Sequence, residues 1–193
     1  MKLYLLRHTR ISREGICCGQ YDAELHSDFK RDFQMVQSQY SEILDSSLIN
    51  SQIYTSPLMR ARKLAEFLSR NGSVKIDPRL QEMNFGRWEG RSWKEIPEDE
   101  SRKWADDFQN ESPPEGESFF QMRTRVLDFL EECKRLNLNK DILAVTHAGV
   151  IRILLGSTLE IPHEKIFSIS IDTGKFSCIS YANGCWNVDF INR

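Results

Sequence analysis

Two histidines stand in matching surroundings. Arg7-His8-Thr9 follows the apolar run Leu3-Tyr4-Leu5-Leu6, and His147-Ala148-Gly149 follows Ile142-Leu143-Ala144-Val145-Thr146. Apolar runs without polar alternation fit strands buried on both faces, as in a parallel sheet. Such strands carry their chemistry just beyond their C-terminal ends. A lone histidine is more often structural, and His26 and His163 take that reading. His8 and His147 differ because each leaves a predicted buried strand. Arg7 adds a permanent charge and a planar fork suited to phosphate oxygens. Ala148 and Gly149 let backbone approach a ligand closely, and the helix that starts there offers unpaired N–H groups and a positive dipole end. Ser56-Pro57-Leu58-Met59-Arg60 opens a further helix, with Ser56 as N-cap, Pro57 at its first position and Arg60 one turn in. Ser56 and Arg60 read either as anion chemistry or as a cap with a solvated arginine. Cations and imidazoles that converge in this way suit a phosphate monoester.

The elements that must position these groups follow from periodicity. Phe29, Phe33, Val36, Tyr40 and Ile43 recur at spacings of 4, 3, 4 and 3, which predicts an amphipathic helix after Ser27 or Asp28. Ile53-Tyr54-Thr55 and Val74-Lys75-Ile76 read as short strands. Between them Leu58, Ala61, Leu64, Ala65 and Leu68 line a helix that Asn71-Gly72 would end. Residues 82–114 carry no clean period and read as an irregular insertion with short helices. A long helix is expected over 115–136, and another from Ala148 to Leu159. Phe167 to Ile171, Phe176 to Tyr181 and Trp186 to Ile191 read as strands, with Gly184 in a hairpin turn before the last. Alternating strands and helices predict an α/β fold: a three-layer α/β/α sandwich around a mostly parallel central sheet.

The totals set outer bounds. A chain of 193 residues, 40% hydrophobic and 28% charged, is that of one ordinary globular domain. A net charge of -2 argues against a general nucleic-acid binder. Five cysteines, an odd number without framework spacing, predict free thiols and a cytoplasmic address. No apolar span approaches membrane length, and the N-terminal run is too short for a signal-peptide core.

Four stretches, in order along the chain, carry a resemblance to the histidine phosphatase superfamily, the phosphoglycerate mutase-like group. They are Leu6-Arg7-His8-Thr9, Ser56-Pro57-Leu58-Met59-Arg60-Ala61, Glu82-Met83-Asn84-Phe85-Gly86-Arg87-Trp88-Glu89-Gly90, and Thr146-His147-Ala148-Gly149-Val150. Thr9 stands where that group usually has glycine. This departure, with Gly15-Ile16-Cys17-Cys18-Gly19-Gln20-Tyr21-Asp22, resembles the α-ribazole phosphatase branch of cobalamin synthesis.

The resemblance implies a phosphoglycerate mutase-like fold over residues 1–193, with the 82–114 insertion covering the active site. It implies that His8 is the nucleophile that becomes phosphohistidine. Arg7, Arg60 and His147 would hold the phosphoryl oxygens, His147 sharing in catalysis, and Glu82 would protonate the leaving oxygen. It implies no cofactor and no metal. A neutral imidazole is what nucleophilic His8 needs, and nearby guanidinium groups favour that form. A general acid needs a proton that flanking arginines oppose and a bound phosphate dianion restores, so Glu82 is expected to become competent in the substrate complex. It reads alternatively as an arginine's salt-bridge partner.

For the leaving group, Phe85, Trp88, Trp93, Trp104 and Phe108 read either as core or as an apolar wall, with Trp88 the candidate contact. Gln20 and Asp22 would meet the ribose or phosphate edge, or else form turns. Ser56 and Ala148 complete the candidate substrate contacts. The expected partner is a small-molecule phosphomonoester, not nucleic acid or membrane, with a homodimer as an open possibility. The reading is α-ribazole 5′-phosphate or its corrinoid conjugate as substrate. The rivals are a phosphoglycerate mutase, a broad-specificity sugar-phosphate phosphatase, a non-catalytic phospholigand-binding module, and a metal hydrolase using His8 and His147 as ligands.

Overall fold

A computed structural model of the chain describes residues 1–13, 15–43, 52–69, 73–136 and 140–193. Six strands form one sheet: β1 (Lys2–Arg7), β2 (Gln52–Thr55), β3 (Val74–Ile76), β4 (Ile142–Thr146), β5 (Phe176–Ala182) and β6 (Cys185–Phe190). Their order is β3-β2-β4-β1-β5-β6. The pairs β3–β2, β2–β4 and β4–β1 are parallel, and β1–β5 and β5–β6 are antiparallel. The sheet is therefore mostly parallel with an antiparallel flank.

Strand alternation sorts the core into two halves. Leu3, Leu5, Ile142, Ala144 and Ile179 face α4 (Phe119–Arg135) and α5 (Ala148–Thr158) on one side. Tyr4, Leu6, Ile53, Leu143, Val145, Phe176 and Cys178 face α1 (Phe29–Ile43) and α2 (Met59–Leu68) on the other. The expected three layers follow. The chain leaves β1 toward one face and β4 toward the other, so a crevice opens where these neighbours end, the usual place for a ligand in such sheets.

Several boundaries differ from the sequence reading, each for a local reason. Helix α2 begins at Met59 and not at Pro57, and its N-cap residue Leu58 is extended. Ser56 Oγ instead accepts from Leu58 N at 3.3 Å in a turn before the helix. The expected stop at Asn71-Gly72 lies outside the described residues. Helix α4 begins at Phe119, because Ser118 and Gln121 form a reciprocal capping box there. Before it the chain turns through Glu115 at φ 63°.

The expected strand at 167–171 is absent. A 3-10 helix spans His163–Ser168, and the next three carbonyls accept from side chains. Arg152 Nε donates to Ile169 O, Asn192 Nδ2 to Ser170 O, and Arg7 Nη1 to Ile171 O. Ile169 and Ile171 are buried in the core, which explains the alternating pattern without a sheet partner. The last hairpin is as expected: Asn183 and Gly184 have φ of 53° and 84°, and the two-residue turn matches the strand twist. Within 82–114 lie two 3-10 turns, Gly86–Trp88 and Trp93–Glu95, and the short α3 (Glu98–Asp106).

Candidate active site

Three strand exits meet side by side. His8 N donates to Thr146 O at 3.0 Å and Ser56 N donates to Val145 O at 3.1 Å, so pairing continues one residue past β1 and β2. This brings His8, Ser56 and His147 together from positions far apart in the chain. The two imidazole centroids lie 5.1 Å apart.

The proton on each ring follows from its partners. His8 Nδ1 lies 2.7 Å from Thr9 O, which can only accept, so Nδ1 carries the hydrogen. Nε2 is left with a free lone pair, and Arg60 Nε donates to it at 3.3 Å. Burial pushes the His8 pKa well below its ordinary value, and Arg60 and Arg7 push the same way while the Thr9 carbonyl opposes them. His147 Nε2 lies 2.8 Å from Ser56 Oγ. Among the described residues His147 Nε2 is the acceptor within reach of the Ser56 hydroxyl, so we assign that proton to this bond, which places the imidazole hydrogen on Nδ1. That Nδ1 is buried and has no partner. Burial first, then Arg60, His8 and Arg7, hold His147 neutral as well.

Arg60 is 1% exposed. Its Nη1 donates to Tyr21 O at 2.8 Å and its Nη2 to Gly19 O at 2.6 Å, so the loop before α1 fixes the guanidinium beside His8. Arg7 donates Nη1 to Ile171 O, and its buried Nε has no partner. Burial is the main cause that lowers the Arg7 pKa, and Glu82 opposes it. Unpartnered buried donors are costly unless a ligand completes them. Arg7 Nε and His147 Nδ1 are two such donors, and both suit a phosphoryl oxygen.

Glu82 approaches from the other side of the crevice. Its Oε2 accepts from Gly149 N at 3.0 Å and its Oε1 from Met83 N at 3.0 Å. A Cβ on Gly149 would stand 2.2 Å from Glu82 Oε1, so glycine is required for this approach. The backbone under Glu82 is clamped by Arg125, whose Nη1 donates to Arg79 O and Gln81 O and whose Nη2 donates to Glu82 O. Glu117 orients Arg125 through a 2.6 Å ion pair and also accepts from Asn84 N.

Above these groups opens a cavity of about 500 Å³. Arg7, Glu82 and Gly149 lie at its base, and Phe85, Trp93, Phe119 and Phe167 supply its aromatic walls. Phe85 and Trp93 come from the 82–114 segment, which thus forms one side of the cavity.

The other expected contacts fall elsewhere. Trp88 is 1% exposed, packs with Cys17 and Ile96, and donates Nε1 to Glu100 at 2.9 Å, so it is core and does not line the cavity. Trp104 and Phe108 pack edge-to-face behind the wall, against Phe85 and Phe119. Asp22 accepts from Met59 N at 2.7 Å and so caps α2 from a distant loop, the role expected of Ser56. Gln20 braces the base of the cavity: its N donates to Glu89 Oε1 and its Nε2 to Glu82 O. Ala148 is buried in the main core at the first turn of α5.

Sequence reasoning missed Gly149 as the seat for Glu82, and it missed Arg152 and Phe167. Arg152 had a legible signal. It lies three residues after Gly149 on one helix, and Gly149, Arg152 and Ile153 all line the cavity. Arg125 and Phe167 had none, because their partners are remote in sequence.

Comparison with known proteins places the family and the fold. The family model of the histidine phosphatase superfamily (branch 1) matches residues 3–193. An adenosylcobalamin/alpha-ribazole phosphatase of Escherichia coli (strain K12) is 28% identical over 200 residues, covering 100% of this chain and 91% of that protein. Phosphoserine phosphatase 1 of Hydrogenobacter thermophilus is 28% identical over 189 residues, with 93% and 86% covered. The crystal structure of the alpha-ribazole phosphatase from Shigella flexneri superposes with a TM-score of 0.86 at 26% identity, covering 100% of this chain and 96% of that one.

Proposed function

The chain belongs to the histidine phosphatase superfamily (branch 1) and is a phosphatase, and we propose that it hydrolyses a small-molecule phosphomonoester, without a metal, through phosphohistidine at His8. The observation that carries this reading is the state of His8. Its Nδ1 hydrogen is held by Thr9 O, its Nε2 carries no hydrogen and meets only a long 3.3 Å contact from Arg60 Nε that an incoming phosphorus can displace, and burial keeps it neutral.

In the first step His8 Nε2 bonds to phosphorus and the ester P–O bond breaks. Glu82 gives its proton to the departing oxygen. Arg7, Arg60 and His147 Nδ1 stabilise the charge that spreads over the phosphoryl oxygens. In the second step water attacks the phosphohistidine, Glu82 takes the water's proton, the P–N bond breaks and phosphate leaves. The protein groups are pre-positioned, so the steps need alignment more than reorganisation.

The leaving group we propose is α-ribazole, free or joined to a corrinoid. Support comes from the aromatic walls, which suit a planar base, and from the likeness to two alpha-ribazole phosphatases. A nucleoside-sized group fits a cavity of about 500 Å³, and a larger conjugate would extend through its open side. The site of action is a reducing cytoplasm, in keeping with five free cysteines.

The test is phosphoenzyme trapping. Wild-type protein quenched after mixing with labelled substrate carries acid-labile phosphate, which decays to inorganic phosphate when returned to neutral buffer. His8→Ala carries none and has no turnover of p-nitrophenyl phosphate. Turnover by His8→Ala comparable to wild type would overturn the mechanism. A long-lived phosphoenzyme that passes its phosphate to 3-phosphoglycerate faster than to water would make the protein a mutase.

A further inference from the structure

The charge around the cavity exceeds what one phosphoryl group needs. Arg7, Arg10, Arg13 and Arg152 line it, and among the described residues Glu82 is the one carboxylate that does. This concentration occurs in a protein of net charge -2. Arg10 is accounted for by its bidentate pair with Asp32 at 2.7 Å. Arg7 belongs to the phosphoryl site. Arg13 and Arg152 remain.

Arg152 is the more telling. It projects from α5 one turn beyond Gly149. Its Nε is used by Ile169 O at 2.9 Å, and its guanidinium lies 5.8 Å from the centre of the Phe167 ring. The group is therefore fixed by a backbone carbonyl and an aromatic face. Among the described residues no carboxylate forms an ion pair with it or with Arg13. Partial burial lowers its pKa, with only Glu82 opposing, so it pays desolvation without a carboxylate partner. A fixed, half-buried guanidinium with its Nη fork uncommitted is what a bidentate anion site requires. Arg13 reaches the same cavity from the loop after β1, and it is exposed. Trp93 and Phe167, 43% and 53% exposed, leave aromatic surface beside these charges.

We propose that Arg13 and Arg152 form a second anion subsite at the mouth of the cavity. The preferred substrate is then a phosphomonoester whose leaving group carries an aromatic body and a further anionic group, a carboxylate or a phosphodiester. The proposal rests on the phosphatase reading above and narrows its substrate class. It predicts that, among related phosphomonoesters, the one with the second charge is selected at the binding step, because that second anion takes no part in the bond that breaks and is held alike in ground and transition states.

Paired substrates test it. Phenyl phosphate against 4-carboxyphenyl phosphate isolates the carboxylate. Adenosine 5′-monophosphate against the 5′-phosphorylated dinucleotide pApA isolates the phosphodiester. In wild type, at least one pair favours the anionic member by roughly tenfold or more in kcat/KM, chiefly through KM, as a charge-assisted hydrogen bond would give. Arg13→Gln lowers that ratio several-fold, and Arg13→Gln with Arg152→Gln brings it close to one. Arg13 is exposed, so its single variant remains informative if Arg152→Gln folds poorly. Ratios near one in both pairs for wild type, or ratios unmoved by Arg13→Gln and by the double variant, would overturn the subsite. Failure of the phosphatase reading would look different: no His8-dependent turnover of phenyl phosphate at all.

Discussion

Behind the cavity floor of Arg7, Glu82 and Gly149, His8, Ser56 and His147 leave three adjacent parallel strands, and their hydrogen bonds run to backbone, to one another and to Arg60. At its mouth, Trp93, Phe167 and Arg13 come from three segments outside the sheet and stand exposed. The base is rigid because a parallel ladder sets the spacing of its exits and burial leaves no alternative partners. The mouth is held by edge-to-face ring contacts, Trp93 with Phe85 and Phe167 with Phe108, which tolerate changes of side chain. The contrast suggests a division of labour in which the base transfers phosphate from any monoester and the mouth chooses the ester.

The strongest way to break this contrast is Glu82→Gln, which keeps the carboxylate's shape and removes its proton. Rates should fall by about 10²–10⁴-fold for substrates with alkoxide leaving groups. Phosphoenzyme formation from p-nitrophenyl phosphate should fall far less, since nitrophenolate departs unaided. Equal losses in that step for both substrates would move Glu82 from chemistry to support.

Gly149→Ala probes the same carboxylate without touching it. Alanine favours helix by about 1 kcal/mol over glycine, so melting temperature should not drop much. The added Cβ would meet Glu82 Oε1 at 2.2 Å and must displace it. The expected result is a loss of roughly tenfold to hundredfold on alkoxide substrates, in the manner of a misplaced catalytic group. Full activity would show that Glu82 works from another position.

Two tryptophans five residues apart in the 82–114 segment sharpen the contrast at the mouth. Trp93→Ala should raise KM for aromatic leaving groups by about tenfold, the value of one lost ring contact, with stability unchanged. Trp88→Ala should instead destabilise the fold by about 3–5 kcal/mol, because it empties a core position. A specificity change from Trp88→Ala at unchanged stability would erase the boundary drawn between wall and core.

A more gradual effect is one of pH on stability. His8 and His147 both have pKa values depressed well below 6.5 in the folded chain. Below about pH 6.5 the unfolded chain therefore binds protons that the folded chain refuses. Stability should decline as pH falls from 7 toward 5, by up to about 1.4 kcal/mol per pH unit for each histidine. Thermal melts across that range should show it, and His8→Asn should flatten the slope. A melting temperature that rises on acidification would contradict the buried neutral state.

What could be read from the amino-acid order was whatever depends on neighbours in sequence. Apolar runs without alternation marked β1 and β4, and the residues just past them were the histidines of the site. Helical periodicity marked α1, α2 and α4, and Asn183-Gly184 marked the last hairpin. Other features lay beyond that reach. The pattern of Ile169 and Ile171 looked like a strand, yet distant side chains take the backbone acceptors there. Asp22 caps a helix that begins at Met59, and Arg125 clamps residues more than forty positions away. Trp88 and Trp93 are alike in sequence, but one fills the core and the other walls the cavity. Periodicity is local, because it reports which face of one element is apolar. Burial, capping by remote carboxylates and the aim of an arginine fork depend on which elements pack together, and only the folded chain decides that.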